Sequence, residues 1–249
     1  MRVVGIIPAR YASTRFPGKP LALIQGKTMI RRVCEQAWKA KLDDVVVATD
    51  DVRIADEVMS FGGKYVLTDP NHRSGTDRCR EAMDLLAAPC DAVVNIQGDE
   101  PFIDPRQIDQ MADLICKEGV QLASLAKRIE DEEELFSPNT VKVVMDGNGQ
   151  ALYFSRNPIP FMRNVEKKDW LKQGPFYKHI GIYAYRAETL RKVALLEPSP
   201  LELAESLEQL RWLENGMAIR MGITTSENVS IDLPSDLKKA ELFADNNTK

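Results

Sequence analysis

The 249-residue sequence is poor in the features that mark metal-cluster, disulfide-rich and membrane proteins. Its four cysteines are scattered, without a CxxC pair or a histidine at metal-ligand spacing, which argues against zinc and iron–sulfur sites and predicts reduced thiols. No run of about 18 consecutive apolar residues occurs, and no charged-then-apolar leader precedes the first strand-like segment. We therefore expect a cytoplasmic protein that does not associate with membranes.

An excess of positive charge is also absent. The formal net charge of −4 argues against a nucleic-acid partner, so any phosphate site must be a local basic patch. The P-loop pattern G-x-x-x-x-G-K-[ST] and the dinucleotide fingerprint G-x-G-x-x-G are both missing, which weakens kinase and dehydrogenase interpretations. The hydrophobic fraction of 44% and the charged fraction of 28% are ordinary for a globular chain with a buried core.

The first half of the chain alternates strand-like and helix-like segments. Strands are predicted at residues 3–8, 45–48, 65–67 and 91–96, and helices at residues 28–40, 52–61, 78–86 and 105–116. This alternation is typical of an α/β fold with a mostly parallel sheet and crossover helices. Ligands bind such sheets at the carboxyl ends of the strands.

The second half introduces an antiparallel element. Two strand-like runs, Val141 to Met145 and Ala151 to Phe154, flank the turn sequence Asp-Gly-Asn-Gly and predict a hairpin. Residues 157–177 have little periodicity and predict a loop or lid over a substrate. One helix from Leu201 to Asn215, a strand from Ala218 to Thr224 and a terminal helix from Ser235 to Ala244 complete the prediction.

A basic loop, PARYASTRFPGKP at residues 8–20, follows the first strand directly. It carries Arg10, Arg15 and Lys19 among small residues and prolines. Arginine makes forked contacts with phosphate oxygens and lysine supplies a point charge, so the loop predicts triphosphate binding. The alternative is a solvated surface loop, which its place after a buried strand disfavours.

A second polar segment, Gln97-Gly98-Asp99-Glu100-Pro101, follows the strand that ends at Ile96. Magnesium prefers one or two protein carboxylates completed by phosphate oxygens and water, which makes Asp99 a candidate metal ligand. The alternative is an aspartate that only caps the following helix. Both interpretations remain open on the residues alone.

Seven motifs in order and spacing resemble the 3-deoxy-manno-octulosonate (Kdo) cytidylyltransferases, also called CMP-Kdo synthetases. They are PARYASTRFPGKP, VVVATDD, HRSGTDR, NIQGDEP, LYFSRNPIP, HIGIYAYR and LEQLRWLENG, and the likeness runs nearly end to end. The resemblance implies a nucleotide-diphospho-sugar transferase (Rossmann-like) fold in one domain. Residues 1–120 would mainly bind the nucleotide, and residues 121–249 would mainly bind the sugar and form a homodimer.

The resemblance also implies a reaction and its site. CTP and Kdo would give CMP-Kdo, used in lipopolysaccharide biosynthesis, and pyrophosphate. The implied catalytic residues are Arg10, Lys19, Asp99 and Asp232, of which both aspartates bind Mg²⁺. The implied CTP-binding residues are Arg10, Arg15, Lys19, Ser74, Gly75, Thr76 and Arg78. The implied sugar-binding residues are Gln97, Arg156, His179, Tyr183, Glu208 and Gln209.

Several alternatives stay open at the level of sequence. The sugar-binding residues could serve packing, solvation or an internal ion pair, and His72 is expected only to shape its loop. The segment Ile-Asp-Leu-Pro-Ser-Asp at 231–236 departs from the family's Val-Asp-Thr-Pro-Glu-Asp, which questions its accessory hydrogen bonds but not Asp232. The substrate could be 8-amino-Kdo or another sugar acid, or the chain could be a non-catalytic nucleotide-binding regulator.

Overall fold

A computed structural model describes residues 1–12, 15–227 and 230–247. Within these ranges the strands are β1 Val3–Ala9, β2 Leu23–Ile24, β3 Lys27–Thr28, β4 Asp44–Thr49, β5 Lys64–Leu67, β6 Ala92–Asn95, β7 Leu122–Arg128, β8 Lys142–Met145, β9 Ala151–Ser155, β10 Tyr177–Arg186 and β11 Arg220–Thr224. The α-helices are α1 Met29–Ala37, α2 Val52–Ser60, α3 Gly75–Asp84, α4 Pro105–Cys116, α5 Glu132–Phe136, α6 Trp170–Gln173, α7 Ala187–Val193, α8 Pro200–Glu205, α9 Glu208–Glu214 and α10 Asp236–Asn247.

The main sheet has the strand order β11-β7-β10-β6-β1-β4-β5. Neighbours are parallel throughout except at β10, which runs antiparallel to both β6 and β7. The hairpin of β8 and β9 joins the sheet through β10. The predicted α/β class with a mostly parallel mixed sheet and an antiparallel element is therefore confirmed.

The first strand shows why the sheet lies in the middle of the molecule. Val3 and Ile7 point into one core and Val4 and Ile6 into the other, because successive side chains of a strand alternate between its faces. Helices α1, α2 and α4 cover the first face, while α3, α7 and α9 cover the second. None of the helices in the described ranges has the length and apolar character needed to cross a bilayer.

The prediction of one helix from Leu201 to Asn215 was wrong. Ser206 adopts a left-handed conformation with φ 53°, which ends α8 at Glu205, and α9 starts two residues later at Glu208. An L-residue in this conformation cannot continue a right-handed helix. The break turns the chain so that Leu207, Leu210 and Trp212 enter the core.

The segment at 157–177, predicted to be a loop or lid, contains short helical turns and a packed centre. Trp170 stacks on Phe176 with ring centroids 5.8 Å apart, and its indole nitrogen donates to the carbonyl of Val165. These side chains form a separate apolar cluster with Ile129 and Leu135. Packing of this kind anchors the segment to the strand end at β7.

Candidate active site

A cleft opens where the carboxyl ends of β1 and β6 meet the amino end of α3. Its volume is about 230 Å³. It is lined by Pro8, Ala9, Arg10, Arg15, Lys19, Pro20, His72, Arg73, Ser74, Gly75, Arg78, Gln97, Gly98, Asp99 and Asp232. The sequence-predicted phosphate and metal residues are thus brought to one place, whereas Thr76 lies just behind the wall.

The basic loop after β1 is held in shape by Gly18 and Tyr11. Gly18 has φ 71°, and its N–H donates to the carbonyl of Tyr11 at 2.9 Å, which closes the loop. The guanidinium of Arg53 lies 3.4 Å from the centroid of the Tyr11 ring and covers its face. Ser13 and Thr14 of this motif lie outside the described residues.

Lys19 joins the two candidate metal ligands. Its Nζ lies 2.7 Å from Oδ2 of Asp99 and 3.8 Å from Oδ1 of Asp232, and it also donates to the carbonyl of Ile231 at 3.0 Å. Arg15 approaches Asp232 as well, at 3.2 Å. Two aspartates from distant parts of the sequence therefore face the same point.

Asp232 is held by contacts on both sides of it in the chain. The N–H of Ile231 donates to the carbonyl of Asp99 at 3.0 Å, and the Ile231 side chain is fully buried with Ile24. The carboxylate of Asp236 accepts hydrogen bonds from the N–H groups of Asp232 and Leu233. Asp236 thus supplies the local bonds that the unusual Leu-Pro-Ser sequence had put in question, and these bonds lower its pKa.

Gly98 allows β1 and β6 to approach each other at the cleft. A Cβ atom at this position would lie 2.7 Å from the carbonyl oxygen of Pro8, which is closer than real Cβ atoms come to backbone. A side chain at residue 98 would therefore separate the basic loop from Asp99. The glycine in Gln-Gly-Asp is required by this close approach.

The two aspartates suit a magnesium ion better than a metal that needs an all-protein cage. The described residues contain no group of three or more His, Cys, Asp or Glu side chains placed to hold a metal. Two carboxylates beside a cationic phosphate site are the donor set that Mg²⁺ takes up together with phosphate oxygens and water. The side chains of Asp99 and Asp232 are 30% and 48% exposed, so both can be reached from solution.

The amino end of α3 forms the opposite wall of the cleft. Ser74 caps the helix by accepting from the N–H of Asp77, and the Asp77 carboxylate accepts from the N–H of Ser74 in return. Gly75 and Thr76 occupy the first turn, where backbone N–H groups lack helical partners and attract anions. This wall is therefore suited to a phosphate or carbonyl oxygen.

Arg78, predicted to bind CTP, is largely taken up by protein contacts. Its side chain is 4% exposed and donates to Oγ1 of Thr68 at 2.5 Å and to Oδ2 of Asp50 at 3.0 Å. It reaches the cleft only as part of its floor. Asp50 was not singled out from the sequence, although its position directly after the buried strand β4 marks it as a residue at the ligand-binding edge.

Glu208 connects α9 to the nucleotide side of the cleft. Its Oε2 accepts a hydrogen bond from Oγ1 of Thr76 at 2.9 Å. Burial raises the pKa of the Glu208 carboxyl, while hydrogen bonds from Thr76 and Ser74 lower it. A second cavity of about 420 Å³ borders Glu208 and shares Arg73 and Ser74 with the first.

His179 and Tyr183 lie together on β10, with ring centroids 5.4 Å apart. Burial lowers the pKa of His179 to about 3 and raises that of Tyr183 well above its usual value. Tyr183 also packs edge-on against Trp212 of α9, and Gln209 on the same helix is buried. These residues form one group behind the cleft, which Gln97 borders directly.

Arg156, the predicted partner of the sugar carboxylate, is not among the residues that line the cleft. Its guanidinium donates to the backbone carbonyls of Pro138, Glu205 and Ser206. A carboxylate could reach it only beside these bonds or in their place. The role of Arg156 stays a prediction.

Sequence reasoning gave His72 only a loop-shaping role and did not single out Arg73. The imidazole of His72 contacts the carboxylate of Glu81 on α3, and both His72 and Arg73 line the cleft. Arg73 is exposed and borders the second cavity too. The signal that could have identified it is its place in HRSGTDR, immediately before the helix cap.

Comparison with known proteins gives consistent matches. The family model described as Cytidylyltransferase matches residues 4–219. The chain is 57% identical to the 3-deoxy-manno-octulosonate cytidylyltransferase of Cytophaga hutchinsonii over 94% of each chain, and 54% identical to that of Parabacteroides distasonis over 99% of each. A solved CMP:2-keto-3-deoxy-manno-octonic acid synthetase complexed with CTP has a TM-score of 0.92 at 40% identity, over 99% of this chain and 100% of that one. The chain belongs to the cytidylyltransferase family, and within it to the 3-deoxy-manno-octulosonate cytidylyltransferases.

Proposed function

We propose that the protein transfers CMP from CTP to the anomeric hydroxyl of Kdo, giving CMP-Kdo and pyrophosphate and activating the sugar for lipopolysaccharide biosynthesis. The relatives named above carry this activity in their names. The observation in the structure that best supports it is the meeting of Lys19, Asp99 and Asp232 in the cleft. A cation and two carboxylates at one point suit a metal-bound polyphosphate.

The triphosphate would lie between the basic loop and the amino end of α3. Arg10 and Arg15 are exposed cations on one side, and the first-turn N–H groups of α3 face the cleft from the other. Charges that are already in position stabilise the negative charge that develops on a leaving pyrophosphate. Direct in-line transfer needs no covalent intermediate, and the sequence shows no Ser-His-Asp or Cys-His arrangement to form one.

Asp99 and Asp232 would hold Mg²⁺. When bound, the ion would neutralise phosphate charge and orient the α-phosphate for attack. Without a cation the two carboxylates would repel the triphosphate, and Lys19 occupies the point between them in the structure. We expect the ammonium group of Lys19 to move toward the phosphates when the nucleotide binds.

The sugar acid would lie between Gln97, which lines the cleft, and Glu208, which borders the second cavity, with the β10 residues behind them. Neutral His179 and Tyr183 and the carboxyl of Glu208 supply acceptors and donors for several hydroxyls. Arg73 is exposed and borders both cavities, so it can offer a cation to the sugar carboxylate. Arg156 could offer one only by releasing its hydrogen bonds to backbone carbonyls.

We also propose a homodimer in the cytoplasm. Large apolar side chains remain exposed in the second half of the chain, including Phe161 at 74%, Leu195 at 79% and Leu203 at 69%. A subunit interface would bury those of them that lie together, since contiguous exposed apolar patches mark protein–protein contacts. Light scattering at several protein concentrations would decide the oligomeric state.

The reaction is tested by measuring pyrophosphate release with Kdo, 8-amino-Kdo and other sugar acids, each with the four nucleoside triphosphates. We expect turnover only with CTP, and turnover fastest with Kdo. A faster reaction with another acid would reassign the substrate. Binding of CTP without turnover of any acid would favour a nucleotide-binding regulator.

The metal site is tested with Asp99→Asn and Asp232→Asn. Each variant should stay folded and lose turnover by roughly 10-fold or more, because one ligand of the ion is lost. Each should also require a higher magnesium concentration. The double variant should lose less than the product of both, because the two residues hold one ion. Asp104→Asn is the matched control, since Asp104 caps α4 outside the cleft. Wild-type turnover of either single variant at wild-type magnesium concentration would rule out the assignment.

A further inference from the structure

A bulge in β10 brings a buried serine against His179. The pairing of β10 with β7 runs from Ile180 opposite Leu125 directly to Tyr183 opposite Ser124, so two residues of β10 lack partners there. Ser124 is fully buried at this point. Bulges of this kind redirect side chains and are frequent beside active sites.

Three polar atoms of the described residues lie within hydrogen-bond distance of the Ser124 hydroxyl. Its Oγ lies 2.8 Å from the carbonyl oxygen of Ile182 and 3.2 Å from that of Ile180, and 2.9 Å from Nε2 of His179. A serine hydroxyl has one proton to donate and two lone pairs to accept with. Carbonyl oxygens can only accept, so the proton is best placed toward them. Donation to Nε2 instead would set both carbonyls against hydroxyl lone pairs.

The donors and acceptors around Ser124 determine which nitrogen of the His179 imidazole carries the proton. Nε2 must then carry the hydrogen that Ser124 accepts, and a neutral imidazole has only one N–H. Nδ1 is therefore left with its lone pair. Because burial lowers the pKa of His179 to about 3, the ring stays neutral near pH 7.

We propose that Ser124 is a positioning residue that fixes the tautomer of His179, so that Nδ1 accepts a hydrogen bond from a hydroxyl of the sugar acid. The consequence for sugar binding rests on the proposed function, whereas the assignment of the tautomer does not. The rings of Phe154 and Tyr183, with centroids 5.0 and 5.4 Å from that of His179, hold its plane. The site would then prefer a substrate group that donates at this position over one that only accepts.

Long-range ¹H–¹⁵N correlation spectra of the ¹⁵N-labelled protein test the tautomer directly. The chain has two histidines, so His72→Gln assigns both rings. We expect the Nε2–H tautomer for His179 near pH 7 in the wild type and in Ser124→Thr. In Ser124→Ala, the ¹⁵N chemical shifts of Nδ1 and Nε2 should move toward each other. An Nδ1–H tautomer in the wild type overturns the proposal, as do nitrogen shifts unchanged in Ser124→Ala. The wild-type spectrum needs no variant to fold.

Steady-state kinetics test the consequence for the substrate. Ser124→Ala should raise KM for Kdo by about 2- to 10-fold, the range for one hydrogen bond, and leave KM for CTP unchanged. Ser124→Thr should restore the wild-type value. Thr189→Val is the matched control, because it removes a buried hydroxyl that contacts only Gln121 among the described side-chain partners.

An unchanged KM for Kdo in Ser124→Ala, or equal rises in both KM values, would overturn the positioning role. Absence of Kdo turnover in the wild type would instead defeat the proposed function, and the spectra would still decide the tautomer. The two failures are therefore distinguishable.

Discussion

Removal of Asp50 should destabilise the protein far more than removal of its neighbour Asp51. Asp50 pairs with Arg78 at 3.0 Å, and the two side chains are 11% and 4% exposed. Water screens such a pair very little, and Asp50→Ala would leave a buried guanidinium with Thr68 as its one remaining side-chain acceptor among the described residues. Breaking a buried ion pair from one side costs about 3–5 kcal/mol of unfolding free energy. For a chain of this size that corresponds to a fall in Tm of about 6–20 °C.

Asp51→Ala is the matched control for the loss of stability in Asp50→Ala. Asp51 caps α2 by accepting from the N–H of Arg53, and it pairs with that exposed side chain at the surface. Loss of a helix cap costs about 1 kcal/mol, and the surface ion pair adds little. Both variants remove one aspartate from the same loop, so they differ mainly in the burial of the partner.

Urea denaturation of the two variants and of the double variant Asp50→Ala/Arg78→Met measures the difference. The double variant should recover much of the loss, because no buried charge is left without a partner. Equal costs for Asp50→Ala and Asp51→Ala would refute the reasoning and indicate that Arg78 is hydrated. Arg78 would then be free to contact CTP as the sequence predicted.

Two further predictions follow from the strand ends and from His179. Gly98→Ala should lower turnover, because the added Cβ would push Pro8 away from Asp99, and it should lower the free energy of unfolding by about 1–3 kcal/mol. Gly147→Ala, with open space around its Cβ, should change neither quantity, and equal kinetics of the two variants would contradict this prediction. The pKa of His179 is lower in the folded than in the unfolded state, so stability is retained above about pH 6.5 and lost as pH falls toward 3. Between pH 7 and pH 5 the loss should reach up to about 2 kcal/mol, and denaturant curves of His179→Gln should lack it.

The first half of the fold and the meeting of the basic loop with Asp99 in one cleft could be predicted from local patterns. The run Val3 to Ile7 specifies a buried strand by composition alone, and Asp99 follows its strand where polar residues abruptly replace apolar ones. The order of strands and helices along the chain shows which residues follow the carboxyl end of a strand, so this position can be predicted from the sequence. Asp232 has no such local signal, and only the resemblance to known proteins joined it to Asp99.

The parts that could not be predicted depend on contacts between distant segments. The strand β7 has the sequence Leu-Ala-Ser-Leu-Ala-Lys-Arg, whose small residues indicate neither strand nor helix strongly. Ser206 ends α8 in a conformation that a serine adopts only when its surroundings require it. Whether Arg78 serves a ligand or Asp50 is decided by burial, which no spacing rule reports.

The place of β10 in the sheet also sets an order of events during synthesis. One edge of β6, Ala92–Asn95, pairs with β1, and its other edge pairs with β10, Tyr177–Arg186. Until the ribosome has released those later residues, the nascent chain carries an apolar strand with one unpaired edge, which is a template for association with other chains. Truncation after residue 120 would therefore leave that edge exposed. An arriving β10 covers it and, in the same step, brings His179 and Tyr183 to the site.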